Sequence, residues 1–282
     1  MPIANPRTQH KDKPWALIDL PPFPAVAMRI LKLVARDDIG IKELTREIQS
    51  DVALSAEILT LANSAFFGFR TEIKNILQAT ALLGAERVKA IALTIAMKTY
   101  LTESFQIPAL LACWRHSLAC ALVAEDLAKA SLVEKDFAYT AGLLHDVGRL
   151  ALGMIKPLEY ANLLSSSEQK PFNVLERERE LFGMDHCMAG RWLTQAWKLP
   201  KIFTDVTAHH HDNPQSGKFD MVALIHRSCQ MADALGFEAV RPLRPVTFPD
   251  ILQSLPARER SRFQPEPEQL ALSVAMKITA ME

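Results

Sequence analysis

The sequence predicts an all-α protein built in two lobes. Apolar residues recur at offsets of three and four along most of the chain, which is the helical period. Alternating strand patterns are scarce, and proline, glycine and capping residues fall between the periodic stretches. Of 282 residues, 49% are hydrophobic, so a substantial core can form. No internal period points to a solenoid.

In chain order, residues 1–14 form a polar, proline-bearing tail, expected to be disordered and lacking the apolar centre of a secretory signal. Pro24 opens the first helix, with Val26, Ile30, Leu33 and Val34 on one face. A second helix over 41–49 turns Ile41, Leu44 and Ile48 inward. Ser50 or Asp51 caps a third, with Leu54, Ile58 and Leu61 as its face, and the run Asn63–Gly68 ends it. Helices over 73–83 and 85–101 meet at Gly84. Pro108 starts a long helix to about Ala130, and Asp136 caps the next, which carries His145 and Asp146. Pro157 and Pro171 introduce two more. Asp185 opens one that ends near Lys198, and Pro200 starts a short one ending in His209-His210-His211. Residues 219–236 and 268–281 complete the set, and Val240–Pro267, rich in proline and arginine, reads as a partly irregular connection. Thr102–Ile107 divides the chain into an N-terminal lobe (15–106) and a site-bearing lobe (107–238), followed by a C-terminal connection and helix (239–282).

Composition removes several function classes. Lysine plus arginine equals aspartate plus glutamate, 32 against 32, so no global field draws the chain to nucleic acid or an anionic membrane. No apolar run is long enough to span a bilayer. The four cysteines show neither CxxC spacing nor a disulfide framework. Cys113 and Cys120 read as small apolar helix residues, and Cys187, beside His186, reads as a packing residue with a soft ligand as the alternative. A cytoplasmic protein is expected.

The most informative stretch is Gly142–Arg149, where a His145-Asp146 pair interrupts an apolar and glycine run. Burying such a pair is costly unless a hydrogen-bond network or a divalent metal satisfies it. On a continuous helix, His145 shares a face with the small residues Ala138, Ala141 and Gly142, which leave room for an imidazole. His116, His186, His209, His210 and Asp233 complete the candidate ligand set with His145 and Asp146. His211 and His226 read as structural or solvent-facing, and Asp233 taken alone could pair with Arg227. Five imidazoles and two carboxylates suit iron, manganese, zinc or nickel better than calcium or magnesium. They exceed the needs of one tetrahedral site, so two metals bridged by Asp146 would use them naturally. Asp146 and Arg149 are the candidate catalytic residues, Arg149 gripping a phosphate through two parallel hydrogen bonds.

The ordered series His116, His145-Asp146, His186, His209-His210, Asp233 resembles the HD superfamily of metal-dependent phosphohydrolases. Within it, residues 17–236 resemble an HDOD domain. The resemblance is carried by Leu20-Pro21-Pro22-Phe23-Pro24, the Asp51–Gly68 segment, Leu82-Leu83-Gly84 and Trp114-Arg115-His116-Ser117. It continues through Gly142–Arg149, Gly183–Gly190 and Trp197-Lys198-Leu199-Pro200. It implies a two-lobed helical fold and a bacterial signalling module that works through a protein partner or a small nucleotide or phosphate ligand. The related HD-GYP phosphodiesterases carry a Gly-Tyr-Pro run and a lysine after the HD pair. Here His211-Asp212-Asn213-Pro214 follows His209-His210, and Arg149 takes the lysine's place. Three functions are therefore distinguished: a signalling module with a metal centre, foremost; an active phosphohydrolase on a nucleotide or phosphoester; and a metal-free helical adaptor.

Overall fold

The structure, a computed structural model, describes residues 14–282 except 24, 35, 37–39, 65, 66, 68, 70, 132 and 215–218. The expected disordered tail and the helix-opening Pro24 lie outside the described residues, save for residue 14. Among the described residues every regular element is helical.

The N-terminal layer comprises α1 (Ala25–Val34), α2 (Ile41–Gln49), α3 (Val52–Ala62), α4 (Ile76–Leu83) and α5 (Ala85–Leu101). Local chemistry sets their ends. Asp51, rather than Ser50, caps α3 by accepting the backbone N–H of Leu54 at 2.9 Å. Asn75 does the same for α4 through Gln78. Gly84, at φ +91°, breaks α4 from α5 in a conformation that disfavours any side chain. The buried Lys89 donates to the carbonyls of Leu33 and Arg36 and so satisfies the end of α1.

A 3-10 turn, Thr102–Gln106, leads into α6 (Pro108–Ser131), a 24-residue helix buried along most of its length. A helix apolar on nearly every side belongs at the centre of a core. Around α6 pack α7 (Lys135–Leu144), α9 (Pro157–Gln169), α13 (Met221–Ala232) and the terminal α16 (Pro267–Met281). The remaining elements are α8 (Val147–Ile155), α10 (Val174–Phe182), α11 (His186–Ala196) and α12 (Lys201–His209). The Val240–Pro267 connection holds two short helices, α14 (Phe248–Ser254) and α15 (Ala257–Arg262). The buried apolar residues join both halves: α5 packs on α7, and the main core cluster runs from Ala16 to Met281.

Two details differ from expectation near the site. Glu134, not Asp136, caps α7: its carboxylate accepts the N–H groups of Asp136 and Phe137. Asp136 is thereby free to meet Arg87 at 2.9 Å. The His-Asp pair also does not lie inside one helix. His145 ends α7 and Asp146 begins α8, with Asp146 at φ −103°, ψ 20°. The break lets α8 approach α11 so closely that a Cβ on Gly148 would stand 1.9 Å from the carbonyl oxygen of His186.

Candidate metal centre

Four parts of the chain deliver imidazoles to one carboxylate. His116 comes from mid-α6, His145 and Asp146 from the α7–α8 junction, His186 from the first position of α11, and His210 and His211 from the turn ending α12. Around Asp146, His186 Nε2 lies 3.3 Å and His210 Nε2 3.2 Å from Oδ1. His145 Nε2 lies 3.7 Å and His116 Nε2 3.9 Å from Oδ2. The carboxylate thus has two faces, each served by two imidazoles.

In each of these rings the other nitrogen is already held. Nδ1 of His145 donates to the Gly142 carbonyl at 2.6 Å, and Nδ1 of His210 to that of Val206 at 3.2 Å. Nδ1 of His116 meets the Phe237 carbonyl at 3.0 Å, and Nδ1 of His186 meets Glu178 Oε2 at 2.6 Å. A carbonyl oxygen can only accept, so it places the ring proton on Nδ1 and leaves a bare lone pair on Nε2. Lone pairs of His145 and His210 therefore face a carboxylate with no proton between them. His145 Nε2, His210 Nε2 and Asp146 Oδ1 are buried without a hydrogen-bond partner among the described residues, and these three side chains offer ligand atoms within 4.8 Å of one another. Such an orphaned, nitrogen-rich set fits a divalent transition metal.

The electrostatics agree. Burial, aided by the neighbouring imidazoles, pushes His145 well below the usual histidine range and His210 below it, so both are neutral and able to ligate at neutral pH. Burial disfavours the charge on Asp146, but Arg149, His145 and His186 override it and hold the carboxyl well below the usual range. Burial also opposes the charge on His186, and the Glu178 carboxylate outweighs it, raising the imidazole to about 10. Glu178 is itself buried and accepts from Tyr160 Oη at 2.5 Å and from the His186 backbone N–H at 2.8 Å. It is the carboxylate that orients a ligand histidine.

Arg149 donates from Nε to Asp146 Oδ2 at 2.8 Å, while its buried Nη1 has no hydrogen-bond partner among the described residues. It lines a pocket of about 590 Å³ together with His116, His210, His211 and Asp233. The outer wall comes from 172–175 and 238–246, including Arg241 and Arg244.

Of the expected ligands, the structure brings His116, His145, Asp146, His186 and His210 together. It does not bring His209, whose half-exposed ring turns outward to Asp212 at 2.8 Å. His209 is the last residue of α12 and lies about 100° round the helix from the direction of Asp146, while His210 and His211 lie in the turn beyond it. Asp233 stands behind His116, 3.3 Å from Nδ1, the nitrogen facing away from Asp146. His211, left out of the expected set, places Nε2 2.9 Å from Nε2 of His186. His226 is structural: Nδ1 donates to the His210 carbonyl at 2.7 Å and ties that turn to α13. Glu178 was missed, although Val174, Leu175 and Phe182 put it on the apolar stripe of α10 at helical spacing.

Comparison with known proteins places this arrangement in a family. A model of the HDOD domain matches residues 20–213. An uncharacterized protein of Treponema pallidum (strain Nichols) is 25% identical over 202 residues, covering 70% of this chain and 39% of that protein. The chain thus spans about two fifths of the length of that curated relative. Among solved structures, an HDOD domain protein of unknown function from Geobacter sulfurreducens has a TM-score of 0.71 at 23% identity, over 93% of this chain and 91% of that one. A Shewanella amazonensis SB2B protein, named as a candidate phosphohydrolase, has a TM-score of 0.67 at 21% identity, over 95% and 97%. At these identities the two structures establish the shared fold.

Proposed function

The chain belongs to the HDOD domain family, and on that premise we propose that it is a bacterial signalling module with a divalent transition-metal centre, acting through protein or small-ligand contacts. The observation that carries the reading is the convergence of four anchored imidazoles on the two oxygens of Asp146. His145 and His210 would hold the metal with neutral rings, together with Asp146 and with His186, which Glu178 aims. A bound iron, manganese, zinc or nickel ion would supply Lewis acidity there. Arg149 and the arginine-bearing wall of the pocket favour a small ligand carrying phosphate, since guanidinium groups match phosphate oxygens in pairs. No helix among the described residues is long and apolar enough to cross a membrane. Cytoplasmic location belongs to the same reading.

One observation favours a second reading, an active phosphohydrolase on a nucleotide or phosphoester: Arg149 Nη1 has no hydrogen-bond partner among the described residues, and Arg149 lines the pocket over the cluster. Elemental analysis tests the shared premise, with about two metals per chain expected and none in a carefully prepared sample favouring the adaptor. Iron- or manganese-loaded protein is then offered nucleotides, cyclic dinucleotides and a generic phosphodiester. Binding seen as a thermal shift, lost in Arg149→Ala and without turnover, supports the signalling module. Turnover abolished by Asp146→Ala replaces it with the enzyme.

A further inference from the structure

The half of the centre facing Oδ2 of Asp146 contains a donor that the histidine series does not include. Cys229, buried on α13, places Sγ 3.4 Å from Nε2 of His116. That sulfur and the ligand nitrogens of His116 and His145 lie within 4.8 Å of one another. Nε2 of His145 is fully buried, unpartnered among the described residues, and aimed at the same point. In a tetrahedral site with usual zinc–sulfur and zinc–nitrogen bonds, sulfur and nitrogen ligands stand about 3.6 Å apart. The observed separation matches that value. Asp233, one helical turn after Cys229, has withdrawn behind His116 to support Nδ1, so the inward position on this face of α13 is held by sulfur.

We propose that Cys229 is a thiolate ligand in the His116–His145 half of the centre, and that it gives this half a preference for thiophilic divalent ions such as zinc or ferrous iron. The other half, formed by His186, His210 and His211, also has a sulfur, Cys187, within 4.8 Å of its imidazole nitrogens. The 3.4 Å separation from a ligand nitrogen is what singles out Cys229. On coordination the S–H bond breaks, the sulfur electron pair goes to the metal, and the proton leaves to solvent, with no change of oxidation state. This inference rests on the metal-centre reading above.

Cobalt(II) titration of the full chain after chelator treatment, under anaerobic conditions, separates the two. Visible ligand-field absorption reports bound cobalt, and a near-ultraviolet charge-transfer band reports thiolate bound to it. Wild type and Cys187→Ser are expected to show both signals. Cys229→Ser is expected to keep the visible absorption and lose the charge-transfer band, and Asp233→Asn to keep both. Bound cobalt without the band in wild type, or a band that persists in Cys229→Ser, overturns the ligand assignment alone. Absence of bound cobalt overturns the metal centre together with it. Should Cys229→Ser fail to fold, Cys113→Ala and Cys120→Ala combined with Cys187→Ser decide: the band survives if Cys229 is its source and disappears if one of the replaced sulfurs is.

Discussion

At the scale of single residues, the site divides into what a ligand series reveals and what only a packed turn can decide. The histidines at 209 and 210 announce metal chemistry in the sequence, but the phase of the 209–211 run does not follow from it. Helix α12 ends at His209. The directions of the next two rings are then set by tertiary contacts, chiefly the 2.7 Å hydrogen bond from His226 to the His210 carbonyl. His209→Ala is therefore expected to retain wild-type metal content after desalting, and His210→Ala to lose at least half of it, as read by elemental analysis. Equal losses in both variants would contradict the placement. Glu178 was obscured for another reason: it sits in a run of charges, Glu176–Glu180, whose other members are exposed. Glu178→Gln keeps the shape but removes the negative charge that orients and polarises His186. Metal affinity is expected to fall about 10–100-fold, measured by competition with a chromophoric chelator, while a circular dichroism spectrum like wild type shows the fold intact.

At the scale of elements, helix starts were the most legible feature, because prolines and capping side chains act locally. Asp51 and Asp185 each accept a backbone N–H at a helix start, as expected; Asp220 does so at a start the sequence placed at 219. The interruption between His145 and Asp146 was not legible, because Leu143-Leu144-His145-Asp146-Val147 contains no breaking residue; the interruption arises from the packing of α8 on α11. Gly148 permits that packing. Gly148→Ala would drive a methyl into two backbone atoms, the His186 oxygen at 1.9 Å and the Gly190 nitrogen at 2.5 Å. Neither can move without shifting α11 itself. A loss of about 3 kcal/mol is expected, together with weakened metal binding because His186 is carried away from Asp146. A variant with unchanged melting temperature and metal content would contradict this account.

The buried ion cluster joining α5, α6 and α7 is a second element-level device. Arg87 bonds to both oxygens of Glu125 and meets Asp136 at 2.9 Å, all three side chains being nearly buried. Burial raises Glu125, but Arg87 outweighs it and the carboxyl ends below its usual range. Its folded value is depressed, so its contribution is present above the unfolded value of about 4.3 and is lost as pH falls through the folded value. Asp136 ends above its usual range because burial prevails over Arg87, so its sign is opposite: stability is regained as it takes up a proton in acid. Arg87→Met strands the Asp136 carboxylate and leaves Glu125 with only the half-exposed Lys129 at 3.6 Å, and is expected to cost about 3–5 kcal/mol at neutral pH. The deficit shrinks towards pH 4, where the stranded carboxylates protonate and wild type begins to lose the Glu125 contribution. Urea melts at the two pH values measure it; a deficit constant with pH would mean that packing alone is lost.

At the scale of the whole molecule, the centre depends on chain beyond the stretch that matches the family model. The match ends at residue 213, yet α13 supplies Cys229 and the His226 anchor, and 238–246 walls the pocket. The ligands come from α6, the α7–α8 junction, α11, the end of α12 and α13, so a bound metal ties together elements separated by more than a hundred residues. An unfolded chain cannot hold this arrangement, and binding free energy therefore appears as folding free energy. At a free metal concentration one thousand times the dissociation constant, the linkage is worth about 4 kcal/mol, or a rise of about 8 °C in melting temperature for a chain of this size. Chelation should reverse the rise, His145→Ala should abolish it, and His209→Ala should leave it intact. Calorimetry on the three proteins with and without zinc or manganese makes the comparison. An equal melting temperature in every sample would mean that the imidazoles meet around Asp146 for packing alone, with Arg149 and the charged His186 supplying the positive charge that balances the carboxylate.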